Sequence, residues 1–368
     1  MTVREVTADQ LADIARGAAI LGTGGGGDPY IGRLLAEQAI RKHGPVRLVD
    51  VDEVPGDAVV VPVAMMGAPT VMVEKLPSGE EIHAALATLQ EVIGREITHL
   101  ACAEAGGINS TIPFVAAAET GLPLLDADGM GRAFPELQML LPTLIGVTTA
   151  PMAVADEKGN SALIRTDDNR SAERFARSLT IDMGCSAMTT QYVLRGTQLR
   201  DGMVPGTLTL VEKLGAVVRR ARGHRDPVAD VAEAMRGHLL FTGKVADVVR
   251  RTSGGFARGT ATLEGVGADD GRRLELEFQN ENLVARRDGE VVASVPDLIC
   301  VLETDTGEPV TTEGLRYGFR VSVIGAPCDP RWRTGAGLDL VGPGYFGYEH
   351  AYEPVEKLAA KLGAQCAN

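Results

Sequence analysis

What this sequence lacks narrows its function before any motif is considered. Its five cysteines, Cys102, Cys185, Cys300, Cys328 and Cys366, are odd in number, widely scattered and form no C-x-x-C pair. That spacing suggests neither a disulfide framework nor a zinc ribbon, and it fits a reducing compartment. The six histidines show no H-x-H, H-E-x-x-H or H-x-x-x-H spacing, so no histidine-built metal site is indicated. No apolar run reaches the ~18 residues that span a bilayer. The opening residues carry no apolar core of the signal-peptide type. There is no internal repeat, no low-complexity tract and no Pro/Ser-rich linker. Positive charge is also in short supply. With 36 Lys and Arg against 49 Asp and Glu, the net charge is -13. That field repels phosphate backbones and anionic lipid surfaces. These absences lead to the expectation of a cytoplasmic protein that acts on a small molecule, with no nucleic-acid and no membrane partner. An anionic small substrate stays open, because a pocket can be locally positive.

What is present is material for two cores. The chain has 368 residues, 45% of them hydrophobic and 23% charged, a length that fits about two domains of ~150 residues. Residues 1–17 have an amphipathic helical pattern, in which Thr7 and Asp9 stand before Leu11, Ile14, Ala15 and Ala18 as a helix-start signal. That helix should stop at the run Gly22 to Gly27, and a second should span Tyr30 to His43. Residues 46–54 and 57–67 are Val-rich and predict short buried strands. Residues 78–95 predict a helix, 97–107 a strand running into a loop, 112–121 a helix, and 122–129 a strand that breaks into an acidic turn. Such alternation predicts an α/β layer with a largely parallel sheet. From residue 151 the grammar changes. A helix is expected after Pro205, with Leu210, Val211, Leu214, Val217 and Val218 on one face. Beyond Phe241 short β-runs follow, punctuated by Gly, Asp-Gly or Pro, which predicts a sandwich or barrel. The expected fold class is therefore α/β: an N-terminal α/β domain with a largely parallel sheet (1–168) plus a β-rich second domain (169–368). The second domain should open with a helix, be β-rich over about 240–328, and end in a tail that packs back. A pocket is expected where the two meet.

Four segments are candidates for chemistry. In Gly22-Thr23-Gly24-Gly25-Gly26-Gly27-Asp28-Pro29, serial glycines can turn N–H groups toward one anion beside a helix N-terminus. No Gly-Lys-Ser/Thr follows, so it is not a P-loop, and the preceding helix argues against a dinucleotide fingerprint. The competing reading is a tight helix–helix turn with Asp28 as N-cap and Pro29 opening the next helix, although four glycines exceed what a turn needs. In the second segment, Glu104-Ala105-Gly106-Gly107-Ile108-Asn109-Ser110 ends a buried strand, where α/β proteins place ligands. Glu104 is a candidate acid or base there, and Asn109 and Ser110 are candidate donors unless one caps the next helix. Third, the segment from Asp126 to Glu136 holds Asp126, Asp128 and Glu136 with Arg132. Paired acids can divide acid and base roles. An Arg132–Asp bridge that orders the loop is the competing reading, and the later ligands of a calcium loop are missing. Fourth, Gln279-Asn280-Glu281-Asn282 is a poor strand former unless a turn or site uses it, and Asp288-Gly289 already supplies a turn nearby. Cys185, set among small residues, reads either as a nucleophile or as a buried free thiol, with no basic residue near it in sequence. No cofactor is predicted from the residues, and a carboxylate site for a divalent metal stays open.

ILGTGGGGDPYIGRL, EAGGINS, LLDADGMGRAFPELQM, FQNENLVA, VPDLI, TGEPVTTEGLRYG and GPGYFGYEHAYEPV resemble the S-methyl thiohydantoin desulfurase family, from about residue 8 to residue 355. The resemblance implies an α/β fold with a β-rich second domain, and hydrolysis of an S-methylated thiohydantoin to a hydantoin. Such a reaction needs water to add at the ring carbon bearing sulfur, a carboxylate to take the water's proton, and a donor for a ring nitrogen. On that expectation Glu104 or Asp126 is the base and Asp128 or Glu136 its partner. Asn109 and the Gly24–Gly27 amides orient the ring or a substrate carboxylate, with Arg132 as a cationic clamp. Two other expectations remain. One is a partner subunit or regulator of an ATP-dependent hydantoinase or oxoprolinase. The other is a non-catalytic binding protein for a cyclic amide. By base rate, a cytosolic enzyme of this size is a symmetric homo-oligomer.

Overall fold

The computed structural model describes residues 4–67, 79–223, 225–253 and 255–366. Met1 to Val3 of the expected N-terminal helix, and Ser78 of the expected helix 78–95, lie outside the described residues. The N-terminal pattern does not run as one helix. Arg4–Val6 (β1) pairs antiparallel with Val46–Val49 (β2), burying Val6, and the helix α1 is Leu11–Leu21. Gly22 ends α1, and Asp28 opens α2 (Pro29–His43) by accepting the N–H of Tyr30 at 2.9 Å.

The strands that follow are buried on both faces, as their near-continuous apolar runs require. Val59–Gly67 (β3), His99–Cys102 (β4) and Leu124–Asp128 (β5) alternate with helices α3 (Glu80–Ile93) and α4 (Ile112–Thr120). Later strands complete the sheet: Met152–Ala155 (β6), Ser161–Ile164 (β7) and Ser186–Thr190 (β8), in the order β1-β2-β5-β4-β3-β8-β6-β7. The centre β2-β5-β4-β3 is parallel and both flanks are antiparallel. Two short strands, Leu194–Arg195 (β9) and Val204–Pro205 (β10), attach to β3 and β5, so this sheet draws on the chain as far as residue 205.

Helices α5 (Leu141–Leu144), α6 (Asn169–Asp182), α7 (Leu199–Gly202), α8 (Thr207–Ala221) and α9 (Pro227–Ala234) lie between the β-runs. Pro205 does not open α8. It pairs with Ala127 in β10, and Gly206 at φ 74° starts the helix at Thr207. The buried face of α8 is correspondingly turned, to Leu208, Val211, Leu214 and Val218, with Leu210 left 38% exposed. This face packs on α1 through reciprocal glycines. A Cβ on Gly17 would fall 1.8 Å from Val211 O, and one on Gly215 would fall 1.8 Å from Asp13 O. Only hydrogen side chains allow the two backbones to come that close.

The β-rich part is one antiparallel sheet rather than two stacked ones. It comprises His238–Ser253 (β11), Phe256–Gly265 (β12), Arg273–Gln279 (β13), Glu281–Arg287 (β14), Glu290–Ser294 (β15), Leu298–Glu303 (β16) and Arg320–Ala326 (β17). The order is β15-β14-β13-β12-β11-β17-β16. Side chains from all seven strands, such as Phe241, Leu263, Leu276, Ala285, Val292, Ile299 and Val323, share one apolar cluster. At under 5 Å per strand spacing, a flat sheet keeps its edges too far apart for that, so the sheet curls. Two helices close the chain, α10 (Gly335–Val341) and α11 (Val355–Cys366), and α11 returns to lie on β11, β15 and β17. No helix among the described residues is long and apolar enough to cross a membrane.

Candidate active site

Where the carboxyl ends of β3 and β4 meet a hairpin turn of the curled sheet, a cavity of about 620 Å³ opens. Its size suits a small molecule. One wall is the end of β3 with Glu104 and Asn109. The other is Asn280, Glu281 and the loop from Thr311 to Arg316, and the segment Gly25–Asp28 runs between them.

Glu104 is placed by two neighbours. Asp128, at the tip of β5, accepts the N–H groups of Ala105 (2.8 Å), Met130 (3.3 Å) and Gly131 (2.9 Å), which pins the loop just after Glu104. Asn109 doubles as a strand partner for β3. Its Oδ1 accepts the Met65 N–H at 2.7 Å, and its Nδ2 donates to Met65 O at 3.2 Å and to Glu104 Oε1 at 2.7 Å. Glu104 Oε2 is buried with no partner among the described residues. Glu281 arrives from the other sheet. Gln279 pairs with Glu281 across a one-residue bend at Asn280, whose φ is 58°. Glu281 Oε1 accepts the Gly26 N–H at 3.1 Å, and its Oε2 is likewise buried without a partner.

Burial dominates the acidity of both groups, because a carboxylate out of water is costly. It lifts Glu281 to about 7, against the pull of the Arg132 guanidinium and of the Gly26 amide. Glu104 rises well above the usual carboxyl range through burial and then through the charge of Glu281, opposed by the Asn109 hydrogen bond. Both shifts favour the protonated acids, and the charge of one carboxylate disfavours ionisation of the other, so the pair gives up its protons in two separate steps. One cavity then offers a proton acceptor and a proton donor from different sheets.

A family model described as the S-Me-THD-like N-terminal domain matches residues 9–166, and its C-terminal counterpart matches residues 166–355. The chain belongs to the S-Me-THD-like family. It is also similar, at 27% identity and a TM-score of 0.80, to the crystal structure of a protein from Chromobacterium violaceum determined in a structural genomics programme. That match covers 96% of this chain and 100% of the other. No curated protein matches the chain.

Within this S-Me-THD-like fold, the residues singled out from sequence separate into cavity and scaffold. Glu104, Asn109, Glu136, Asn280, Glu281, Gly25, Gly26, Gly27 and Asp28 line the cavity. Asp126 does not. The two-residue period of a strand puts Asp126 and Asp128 on the face of β5 that α8 covers. Asp126 accepts the Thr209 N–H at 3.0 Å and pairs with Arg4 at 3.2 Å, and Thr207 reaches Asp128. Asp128 is fully buried and spent on backbone amides, so it positions the loop; burial lifts it to about 7 against those amides. Arg132 is no clamp on a ligand and makes no bridge to the aspartates of its own loop. It is fully buried and donates to the carbonyls of Ala133 (2.9 Å), Pro296 (3.0 Å) and Asp297 (2.7 Å) and to the Thr23 hydroxyl (2.8 Å). The Ser110 hydroxyl donates to Gly107 O at 2.8 Å and closes the turn after Glu104.

The glycine run is a seam between the sheets. Gly24 O accepts the Thr312 N–H at 2.7 Å, and Gly26 O accepts the Ile108 N–H at 2.9 Å. A Cβ on Gly25 would lie 2.2 Å from Glu281 Oε1, and one on Gly24 would lie 2.8 Å from Asn282 Nδ2. That close approach accounts for glycines beyond the needs of a turn. The Gly25 amide donates to Gly22 O at 2.8 Å and the Gly26 amide to Glu281, so neither is free for a ligand anion. Glu136 Oε2 accepts the Tyr345 hydroxyl at 2.6 Å, and Asn280 Oδ1 accepts the Ala257 N–H at 2.8 Å. Cys185, half-buried at φ 65°, stands before β8 and does not line the cavity. Among the described residues no group of three or more His, Cys, Asp or Glu is arranged to hold a metal ion. Sequence reasoning missed Gln191, which lines the cavity floor. Its signal was a lone amide at the end of the buried strand β8. Glu313, Arg177 and Arg316 at the rim had no local signal of comparable strength.

Proposed function

We propose that this protein hydrolyses an S-methylated thiohydantoin or a closely related ring, with Glu281 as base and Glu104 as acid. The observation that carries the reading is the pair of buried carboxyl groups from different sheets. Each has one oxygen bonded and one without a partner at the same cavity. Membership of the S-Me-THD-like family supports the choice of ring.

Ionised Glu281 takes a proton from water as the water oxygen adds to the ring carbon that bears sulfur. Glu104 gives its proton to the adjacent ring nitrogen. The tetrahedral adduct then carries the new hydroxyl, the methylthio group and an amine nitrogen. On collapse the hydroxyl proton returns to Glu104, the C–S bond breaks, and methanethiolate leaves with the proton from Glu281. One water is consumed, a carbonyl replaces the C–S–CH3 unit, and both acids are restored. Asn109 keeps Glu104 aimed throughout. A regulator that holds phosphate on the glycine run finds less support, since the Gly25 and Gly26 amides already donate within the fold.

Thiol release from a panel of S-methyl thiohydantoins and 2-thiohydantoins, run with and without EDTA, tests the reading. Saturable release from the S-methylated rings is expected, and EDTA should not alter it. Glu281→Gln and Glu104→Gln should each lower kcat about 10²–10⁴-fold while the protein stays folded. Unchanged turnover in either variant removes that residue from the mechanism. Ring binding with no thiol release across the panel makes the protein a cyclic-amide binder instead.

A further inference from the structure

Among the described residues, Gln191 is the one buried polar group at the cavity that the reaction above leaves unused. It follows β8, where Thr190 pairs with Val63, and its own N–H reaches Pro62 O at 3.4 Å before Tyr192, at φ 51°, turns the chain away. The residue is 0% exposed and lines the cavity, and neither Oε1 nor Nε2 has a partner among the described residues. Asn109 by contrast bonds Met65 and Glu104, and Asn282, Gln138 and Gln279 each leave one amide atom unpaired where Gln191 leaves both. A carboxamide idle at both ends in a buried place is unfavourable by itself. A ligand that presents a donor and an acceptor side by side relieves it.

We infer that Gln191 reads the amide edge of the ligand ring. The ring N–H donates to Oε1, and Nε2 donates to the ring carbonyl, as two parallel hydrogen bonds. This rests on reading the cavity as a site for a cyclic amide. Other ligand classes fit less well. A carboxylate offers acceptors only, and it would face the charge of Glu281. A cation offers donors only and leaves Nε2 unpaired. The geometry also sets a substrate class. In an open-chain peptide the trans bond points N–H and C=O in opposite directions, so one carboxamide cannot pair with both. A five-membered ring forces them cis. Gln191 therefore selects ring amides over linear ones.

Calorimetric titration of the wild type, Gln191→Met and Gln191→Leu with hydantoin, 1-methylhydantoin and 3-methylhydantoin decides the matter. The wild type should bind hydantoin, and at least one N-methylated ring should bind about 10–100-fold more weakly. In Gln191→Met, hydantoin should weaken by a similar factor and the preference over the N-methylated rings should vanish. The Tm should hold or rise, because an apolar chain of similar length replaces an unpaired amide. A lowered Tm with the preference intact makes Gln191 structural and overturns the inference. So does equal wild-type affinity for all three rings, a result that needs no variant to fold. Wild-type binding of hydantoin with no thiol release defeats the hydrolytic reading and leaves Gln191 standing. No binding of any ring defeats both.

Discussion

Glu281, which opens β14, and Asp297, in the turn before β16, are both buried acids of the β-rich part, and they differ in how completely they are bonded. Asp297 is fully buried and accepts from the Cys328 N–H (3.1 Å), Arg333 (2.6 Å), the Tyr352 hydroxyl (2.9 Å) and the Val355 N–H (2.8 Å). Both of its oxygens are used, and the groups they hold tie the C-terminal segment and α11 to the sheet. Glu281 accepts from one amide and leaves its second oxygen bare. A saturated buried carboxylate belongs to the scaffold. One that is half satisfied keeps a free oxygen and a raised pKa, which is what proton transfer requires.

The contrast yields a graded set of outcomes. Asp297→Ala removes every acceptor at once and leaves the Cys328 and Val355 amides and the Tyr352 hydroxyl without their partner, while Arg333 keeps only Glu356, so stability should drop by about 3–5 kcal/mol in denaturant titration. A loss below about 1 kcal/mol would show that the saturated acid is dispensable to the scaffold. Glu281 should behave in the opposite sense. Its folded pKa is raised from 4.5 to about 7, so its protonated form favours the folded state. That contribution is complete below the unfolded value and is lost as pH rises through about 7. The shift corresponds to about 3 kcal/mol at most. Glu281→Gln should therefore flatten part of the fall in stability between pH 5 and pH 8, measured by chemical denaturation. A wild-type curve that rises over that interval would contradict the assignment, and so would a variant curve that falls as steeply as the wild type. The smallest effect is expected at Asp126. Asp126→Asn should cost about 1 kcal/mol through its Thr209 and Arg4 contacts, and thiol release should stay within about twofold of wild type. A hundredfold loss there would return Asp126 to the chemistry.

The elements were legible in the sequence because their signals are local. Asp28-Pro29 opens a helix, Val-rich runs form strands, and a chain dense in turns forms the curled sheet. Glu104 and Asn109 were legible for a related reason, since both follow a buried strand and that address is visible in one dimension. Asp126 and Asp128 misled because three carboxylates in one short segment suggest a shared site. The strand period and the cover of α8 send two of them elsewhere. Arg132 misled because nothing in its own loop shows that its guanidinium will be consumed by carbonyls of residues 133, 296 and 297. The partnership of Glu104 with Glu281 was the hardest to see. It exists only across the seam, where the sequence offers no shared motif, so Asn280 and Glu281 stand out in the sequence as substrate contacts with nothing to link them to Glu104.

Gly26 binds the loop of one acid through its carbonyl and the other acid through its amide. Glu104 lies in the half matched by the N-terminal family model, and Glu281 in the half matched by the C-terminal one. A chain divided at their junction would leave each piece with half of a proton-transfer pair and an empty partner position. Neither piece would be a smaller version of the whole. The two halves would have to be inherited together, and an ancestral gene fusion or a split expression would be judged by whether the glycine seam re-forms, however well each piece folds alone.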